Sequence, residues 1–174
     1  VGNGLIARYL YEFFVRTGWS FPSLRLFDAA PGESRRFSER LALDARHAVT
    51  HDEAIEPLLR ASNLILFATT AGAPYVHDPG LFAHNPIVLH ISLRDLGTDV
   101  ISSSYNVVDD IGHVLNADTS AHLTEQRLGH RRFIHGRTTA RVGDLMVRQF
   151  VDTRRSHLAV IVDTRPSSYL DDEE

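Results

Sequence analysis

An α/β fold built on a parallel sheet is what this sequence predicts, and three observations predict it. Short apolar runs, LILFAT at 64–69, IVLHISL at 87–93 and SHLAVIV at 156–162, are bounded by polar and turn residues, as strands buried on both faces are. Stretches with helical apolar spacing lie between such runs, so strand and helix alternate along the chain. The chain also opens on VGNGLIA, a G-x-G-x-x-A pattern that in parallel α/β folds joins a strand to a helix beneath a phosphate group. Together these predict a Rossmann-like, doubly wound parallel sheet. The sheet is expected to be incomplete, because the strand that should feed the glycine turn would lie before Val1.

The elements follow in order. Gly2 is expected to make the tight turn, Gly4 to let the backbone approach a pyrophosphate through Asn3, Leu5 and Ile6, and Ala7 to allow close helix–strand packing. Leu5, Ile6, Tyr9, Leu10, Phe13 and Phe14 then recur at helical spacing, with Gly18 as the stop. SLRLF reads as a strand leading into Asp28, 24 residues after Gly4, where an acid can accept hydrogen bonds from the ribose hydroxyls of NAD. Arg35 and Arg36 could instead meet the 2′-phosphate of NADP, but Asp28 would repel it, and NAD is the expected cofactor.

APGESRRFSERLALDAR is a loop and a helix, 48–50 a very short strand, and DEAIEPLLRAS a short helix. HDPGLFAHNP is a turn-rich connection between the two central apolar runs. NVVDDIGHVLN reads as a strand edge entering a helix, capped by Asp109 or Asp110. SAHLTEQRLGH is a helix closed by Gly129.

Composition removes several kinds of chemistry. The 174 residues carry 18 basic and 22 acidic side chains, and every basic one is arginine. Without lysine there is no Schiff base and no lysine-bearing P-loop. With no cysteine there is no disulfide, thiol nucleophile or thiolate metal site. The histidines at 77, 84, 90, 113, 122, 130 and 135 include no H-E-x-x-H pair, so no metal is expected. No apolar run approaches the roughly 18 residues of a membrane span. A cytoplasmic protein with no nucleic-acid or membrane partner is expected. The arginines between 131 and 155 lack the interleaved aromatics of an RNA-binding surface.

The segments GNGLIARYLYEF, FATTAGAPYV, VLHISLRDL, SYNVVDD and HVLNADTSAHLTEQ, in that order over residues 1–133, resemble the ornithine cyclodeaminase/mu-crystallin superfamily. The nearest branch is similar to the NAD-dependent dehydrogenases of 2,3-diaminopropionate biosynthesis. The resemblance implies a small amino-acid substrate, an N-(2-amino-2-carboxyethyl)-glutamate adduct cleaved oxidatively, and a homodimer. It places cofactor contacts at Gly2, Asn3, Gly4, Leu5, Ile6, Asp28, Thr69 and Thr70. It places catalytic residues at Asp95, as acid or base, and Arg94, as a clamp on a substrate carboxylate. The family's substrate-binding part before the glycine pattern has no counterpart here, so the isolated chain is expected to lack turnover.

From Ile134 onward, IHGRTTARVGDLMVRQFVDTRRSHLAVIVDTRPSSY resembles a bacterial von Willebrand A-like family of unknown function. That divides the chain into a dinucleotide-binding part, 1–133, and an appended α/β fragment, 134–174. In A-type domains a D-x-S-x-S loop holds a divalent metal. Here the loop runs Asp163, Thr164, Arg165, Pro166, Ser167, with an arginine where the first serine belongs, so no magnesium is expected. The alternative reading of the whole chain is a non-catalytic interaction module.

Overall fold

The computed structural model describes residues 1–108, 110–129, 134–136 and 158–161, the last two stretches by their backbone alone. Asp109, the arginines of 131–155 and the loop from Asp163 to Ser167 lie outside the described residues.

The elements run α1 (Leu5–Arg16), β1 (Ser23–Leu26), α2 (Glu33–Leu41), β2 (Ala48–His51), α3 (Ile55–Ala61), β3 (Leu64–Phe67), β4 (Ile87–His90), α4 (Thr98–Ser103), β5 (Tyr105–Val108), α5 (Ile111–Val114), α6 (Ser120–Leu128), β6 (Ile134–Gly136) and β7 (Leu158–Ile161). Each expected strand and helix is present within a few residues of its expected place. α4 falls in a stretch with no strong period.

Local chemistry explains the boundaries. α1 stops where Thr17 and the left-handed Gly18 (φ +85°) close its last turn. Asp110 caps α5, its carboxylate accepting from His113 N at 2.7 Å. Thr119 caps α6 by accepting from His122 N at 3.1 Å, and Gly129, at φ +69°, ends it.

β1 and β2 pair in parallel with Ser23 opposite Ala48 and Leu26 opposite His51. The other strands form a parallel five-stranded sheet in the order β3-β4-β7-β5-β6. Val1 and Gly2 lie between the two sheets and bond to both. Gly2 N donates to Phe27 O at 3.0 Å, Val1 N to Leu66 O at 2.8 Å, and Ala68 N to Val1 O at 3.0 Å.

The larger core packs Leu58 and Leu59 of α3, Ile65 and Phe67 of β3 and Ile101 of α4 against one another, with Val108 of β5. Truncating a side chain like the fully buried Phe67 to alanine would cost about 3–5 kcal/mol. A smaller core joins Ala7 and Tyr11 of α1 to Leu26, Phe37 and Leu43. The apolar spacing of α1 exceeds what this core takes up: Leu5, Tyr9 and Phe13 form an exposed stripe at every fourth residue. No helix among the described residues is long and apolar enough to cross a membrane.

Candidate functional site

In a parallel sheet every strand delivers its following loop to the same end, which is where ligands bind in such folds. The residues after β1 (Asp28), β3 (Thr69, Thr70) and β4 (Asp95), with the glycine turn at Gly2–Gly4, all belong to that end.

The glycine turn is built tightly. Gly2 has φ +78°, and a Cβ placed there would meet Ala68 O at 2.6 Å and Thr69 Cγ2 at 3.0 Å. Only glycine fits, both for its left-handed backbone and for the approach of the loop after β3. Gly4 differs. Its φ of −83° suits any residue, and a Cβ there would meet open space. Gly4 stands at the N-cap of α1 with no side chain bonding the first turn and no acid in that turn. The helix therefore presents its positive end and uncapped N–H groups outward, as an anionic group requires. Leu5 and Ile6 are exposed beside it.

Asp28 fastens the turn. One carboxylate oxygen accepts from Asn3 N at 2.7 Å and the other from Ala30 N at 2.9 Å. Each oxygen keeps a second acceptor position. The buried Asn3 side chain donates to Ser34 Oγ at 2.9 Å, tying the turn to the first turn of α2.

Thr69 links this turn to a second cluster. Its hydroxyl donates to the Asp95 carboxylate, which also receives the Ser92 hydroxyl, Tyr75 OH at 2.9 Å and His90 Nε2 at 2.9 Å. The carboxylate fixes the His90 proton on Nε2. Tyr75 N and Val76 N donate to Asp95 O at 3.1 and 3.0 Å, so both backbone and side chain of Asp95 hold the loop after β3.

Asp95 is fully buried. Burial alone would raise its pKa. The hydrogen bonds from His90, Ser92 and Thr69 and the His90 charge outweigh that and bring it from 3.8 to about 2. The carboxylate is ionised at neutral pH with its acceptor positions taken. Tyr75 is pushed far above the usual phenol range, first by burial and then by the Asp95 charge, and remains a donor.

Arg94 points away from this cluster. Its Nε donates to Asp118 O at 2.8 Å and its Nη2 to Ala117 O at 3.4 Å, which holds the loop leading into α6. Thr70 is exposed beside Thr69.

The structure thus joins Asp28, Asn3, Gly2, Thr69 and Asp95 into one bonded and packed chain, flanked by Gly4, Leu5, Ile6 and Thr70. It directs Arg94 elsewhere. Sequence reasoning missed His90, Ser92, Tyr75 and Ser34 as partners. The H-x-S-x-x-D spacing was a usable signal, since His90 and Ser92 share a side of an extended segment and Asp95 follows in the turn. Among the described residues no three histidine or acidic side chains are grouped to hold a metal.

Solved structures share this fold. A Delta(1)-pyrroline-2-carboxylate reductase from Thermococcus litoralis, solved with NADH and L-proline, superposes with a TM-score of 0.76 at 21% identity, over 92% of this chain and 51% of that one. CmnK superposes with a TM-score of 0.73 at 22% identity, over 95% of this chain and 48% of that one. The chain spans about half the length of each. No family model and no curated protein matches its sequence.

Proposed function

We propose that residues 1–133 form the dinucleotide-binding part of an NAD-dependent oxidoreductase of the ornithine cyclodeaminase/mu-crystallin type. One observation carries the reading: a glycine turn locked against β3 at Gly2 and open at Gly4, with the Asp28 carboxylate bonded to its central amide. The open N-terminus of α1 receives the pyrophosphate, and the free acceptor positions of Asp28 receive the ribose hydroxyls. The exposed Leu5, Ile6 and Thr70 flank the cofactor. The shared fold with a reductase solved with NADH supports the choice of ligand.

When bound, NAD supplies the hydride acceptor. In this reading Thr69 and Thr70 skirt the cofactor, and Asp95 positions them as a fixed anion. Arg94 holds the neighbouring loop and keeps only its Nη1–Nη2 edge for a substrate carboxylate. Oxidation of a small amino acid, with the diaminopropionate-forming reaction as its particular case, and a homodimer complete the proposal. Residues 134–174 are an appended stretch whose strands β6 and β7 enter the same sheet.

The test is titration calorimetry of the folded chain with NAD and with NADP. The expected result is micromolar binding of NAD, weaker binding of NADP, and a loss of at least tenfold in the Gly4→Ala variant. No heat with either nucleotide would sink the reading.

A further inference from the structure

α1 buries one face and leaves the other bare. At about 100° per residue, Ala7 and Tyr11 turn to the core, so Leu5, Tyr9 and Phe13 turn away from it. These three are 61%, 58% and 59% exposed. The apolar surface continues past the end of the helix. Phe13 lies against Phe14, with 6.2 Å between ring centroids, and Phe14 against Trp19, at 5.4 Å. Trp19 is itself 55% exposed. A half-exposed aromatic leaves on the order of 100 Å² in water. The whole patch is then about 500 Å², at the upper end of what a monomer carries.

A charged row borders the patch on one side. Arg8, Glu12 and Arg16 recur at every fourth residue, each three places after a residue of the stripe. Arg8 Nε lies 2.9 Å and Arg16 Nη2 3.7 Å from the Glu12 carboxylate. The Arg8 guanidinium also stands 5.8 Å from the centroid of the Tyr9 ring. The other side of the stripe carries Ile6 and Leu10 and no charge.

We propose that this face is the contact between two copies of the chain, with α1 packed antiparallel on α1 of a second copy about a twofold axis near residue 10. Such a pair sets each row against the same row of the partner, read in the opposite direction. Glu12 then comes beside the partner's Arg8, twice over, and Leu5 comes near the partner's Phe13. A parallel pair would set arginine on arginine and glutamate on glutamate, so the charges select the antiparallel one. With the stems of the charged row included, about 800 Å² of each copy closes, the size of a standard stable interface. Tyrosine, tryptophan and arginine, which anchor such contacts, are all in the patch or on its border. A lipid surface fits less well, because Glu12 stands in the middle of the row that would meet anionic headgroups.

The inference rests on the homodimer of the reading above, and it names that dimer's surface. It uses none of the cofactor contacts, so a failed nucleotide titration leaves it standing.

Sedimentation equilibrium of the 174-residue chain at roughly 1–100 μM should show a dimer with a micromolar dissociation constant. Phe13→Glu should weaken it at least twentyfold, with Tm within about 2 °C, since the side chain replaced is exposed. Arg8→Glu should weaken it about threefold, and adding Glu12→Arg should restore it. The chain has no cysteine, which makes cross-linking specific. On mild oxidation Tyr9→Cys should form a disulfide-linked dimer. Leu5→Cys should not, because the two copies of residue 5 stand about 15 Å apart along the seam. A monomer throughout that range, a dimer that Phe13→Glu leaves intact, or a double swap that fails to restore it overturns the proposal. Cross-linking of both cysteine variants, or of neither, does the same. So does a monomer that sediments with anionic vesicles, which would give the face to a lipid surface.

Discussion

Asp28 and Asp95 both follow the carboxyl end of a parallel strand, and both touch the glycine turn, directly or through Thr69. Their surroundings differ. Asp28 is half-buried and, among the described residues, bonded to two backbone amides, Asn3 N and Ala30 N, which leaves it able to accept from a ligand. Asp95 is sealed and takes four side-chain donors. Position at a strand end makes an acid available to a site, while the number of donors that close on it decides whether it meets the ligand or holds the loops that do. In the proposed reading Asp28 reads the cofactor, and Asp95 braces the walls.

The strongest test of that contrast is Asp95→Asn. The amide would turn an NH2 group towards hydroxyl and imidazole donors in a fully buried site. The expected loss is about 2–4 kcal/mol, a fall in Tm on the order of 10 °C. The pH dependence is specific. A carboxylate lowered from 3.8 to about 2 contributes stability that is fully present above about pH 4 and is lost as pH falls towards 2. The stability gap between the two proteins, read by urea unfolding, should therefore narrow from pH 4 to pH 2. A gap below about 1 kcal/mol at pH 7 would mean that Asp95 is not the brace described here.

The glycines of the turn sharpen the same contrast between building a site and meeting its ligand. Gly2→Ala forces a left-handed alanine against the Ala68 carbonyl and should cost about 2 kcal/mol or more, with nucleotide binding lost as the turn shifts. Gly4→Ala has room and an ordinary backbone, so its stability should change by no more than about 0.5 kcal/mol. Its effect should appear only in NAD affinity. Thermal unfolding beside calorimetry separates the two. A Gly4→Ala variant that unfolds early and binds normally would reverse the assignment.

The pattern of this turn was legible in the sequence, because glycine spacing, a following amphipathic helix and an acid after the next strand are all local signals. The parallel strands were legible for the same reason, as short apolar runs. α4 was not, since its six residues carry only Val100 and Ile101 into the core and its serines obscure any period. Nor was the sealing of Asp95. Two of its donors, Thr69 and Tyr75, come from the loop after β3, 26 and 20 residues away in sequence, and only the sheet brings them to it. The exposed stripe on α1 was invisible because periodicity reports how apolar a face is and not whether the fold covers it.

Asp28 offers a smaller and more selective effect. Asp28→Ala removes two amide contacts at a half-buried site and should cost about 1 kcal/mol. It should also narrow the preference for NAD over NADP, because the carboxylate that accepts from ribose hydroxyls repels a 2′-phosphate. Parallel titrations with both nucleotides measure this. An unchanged ratio between them would remove Asp28 from the cofactor site and leave it a fastener of the turn, alike in kind to Asp95.

Arg94 should show a stability effect no larger than that of Asp28. Its fork lies on two backbone carbonyls, Asp118 O at 2.8 Å and Ala117 O at 3.4 Å. The loop it holds includes Asp118 at φ +49°, a left-handed conformation that benefits from a fixed neighbour. Arg94→Gln would lose a charge-assisted bond at a partly exposed site, so the expected cost is about 0.5–1 kcal/mol. A clamp on a substrate carboxylate requires two N–H groups on one edge of the guanidinium, and the Nε–Nη2 edge is occupied here. Only the edge between the two Nη atoms could serve, and it would share Nη2 with Ala117 O. NAD affinity should therefore be unchanged in Arg94→Gln, and hydrogen exchange should accelerate at the loop before α6, at Asn116 and Asp118. If exchange there stays the same while binding of a small amino-acid carboxylate falls tenfold, Arg94 works as the clamp and leaves its carbonyls when the ligand arrives.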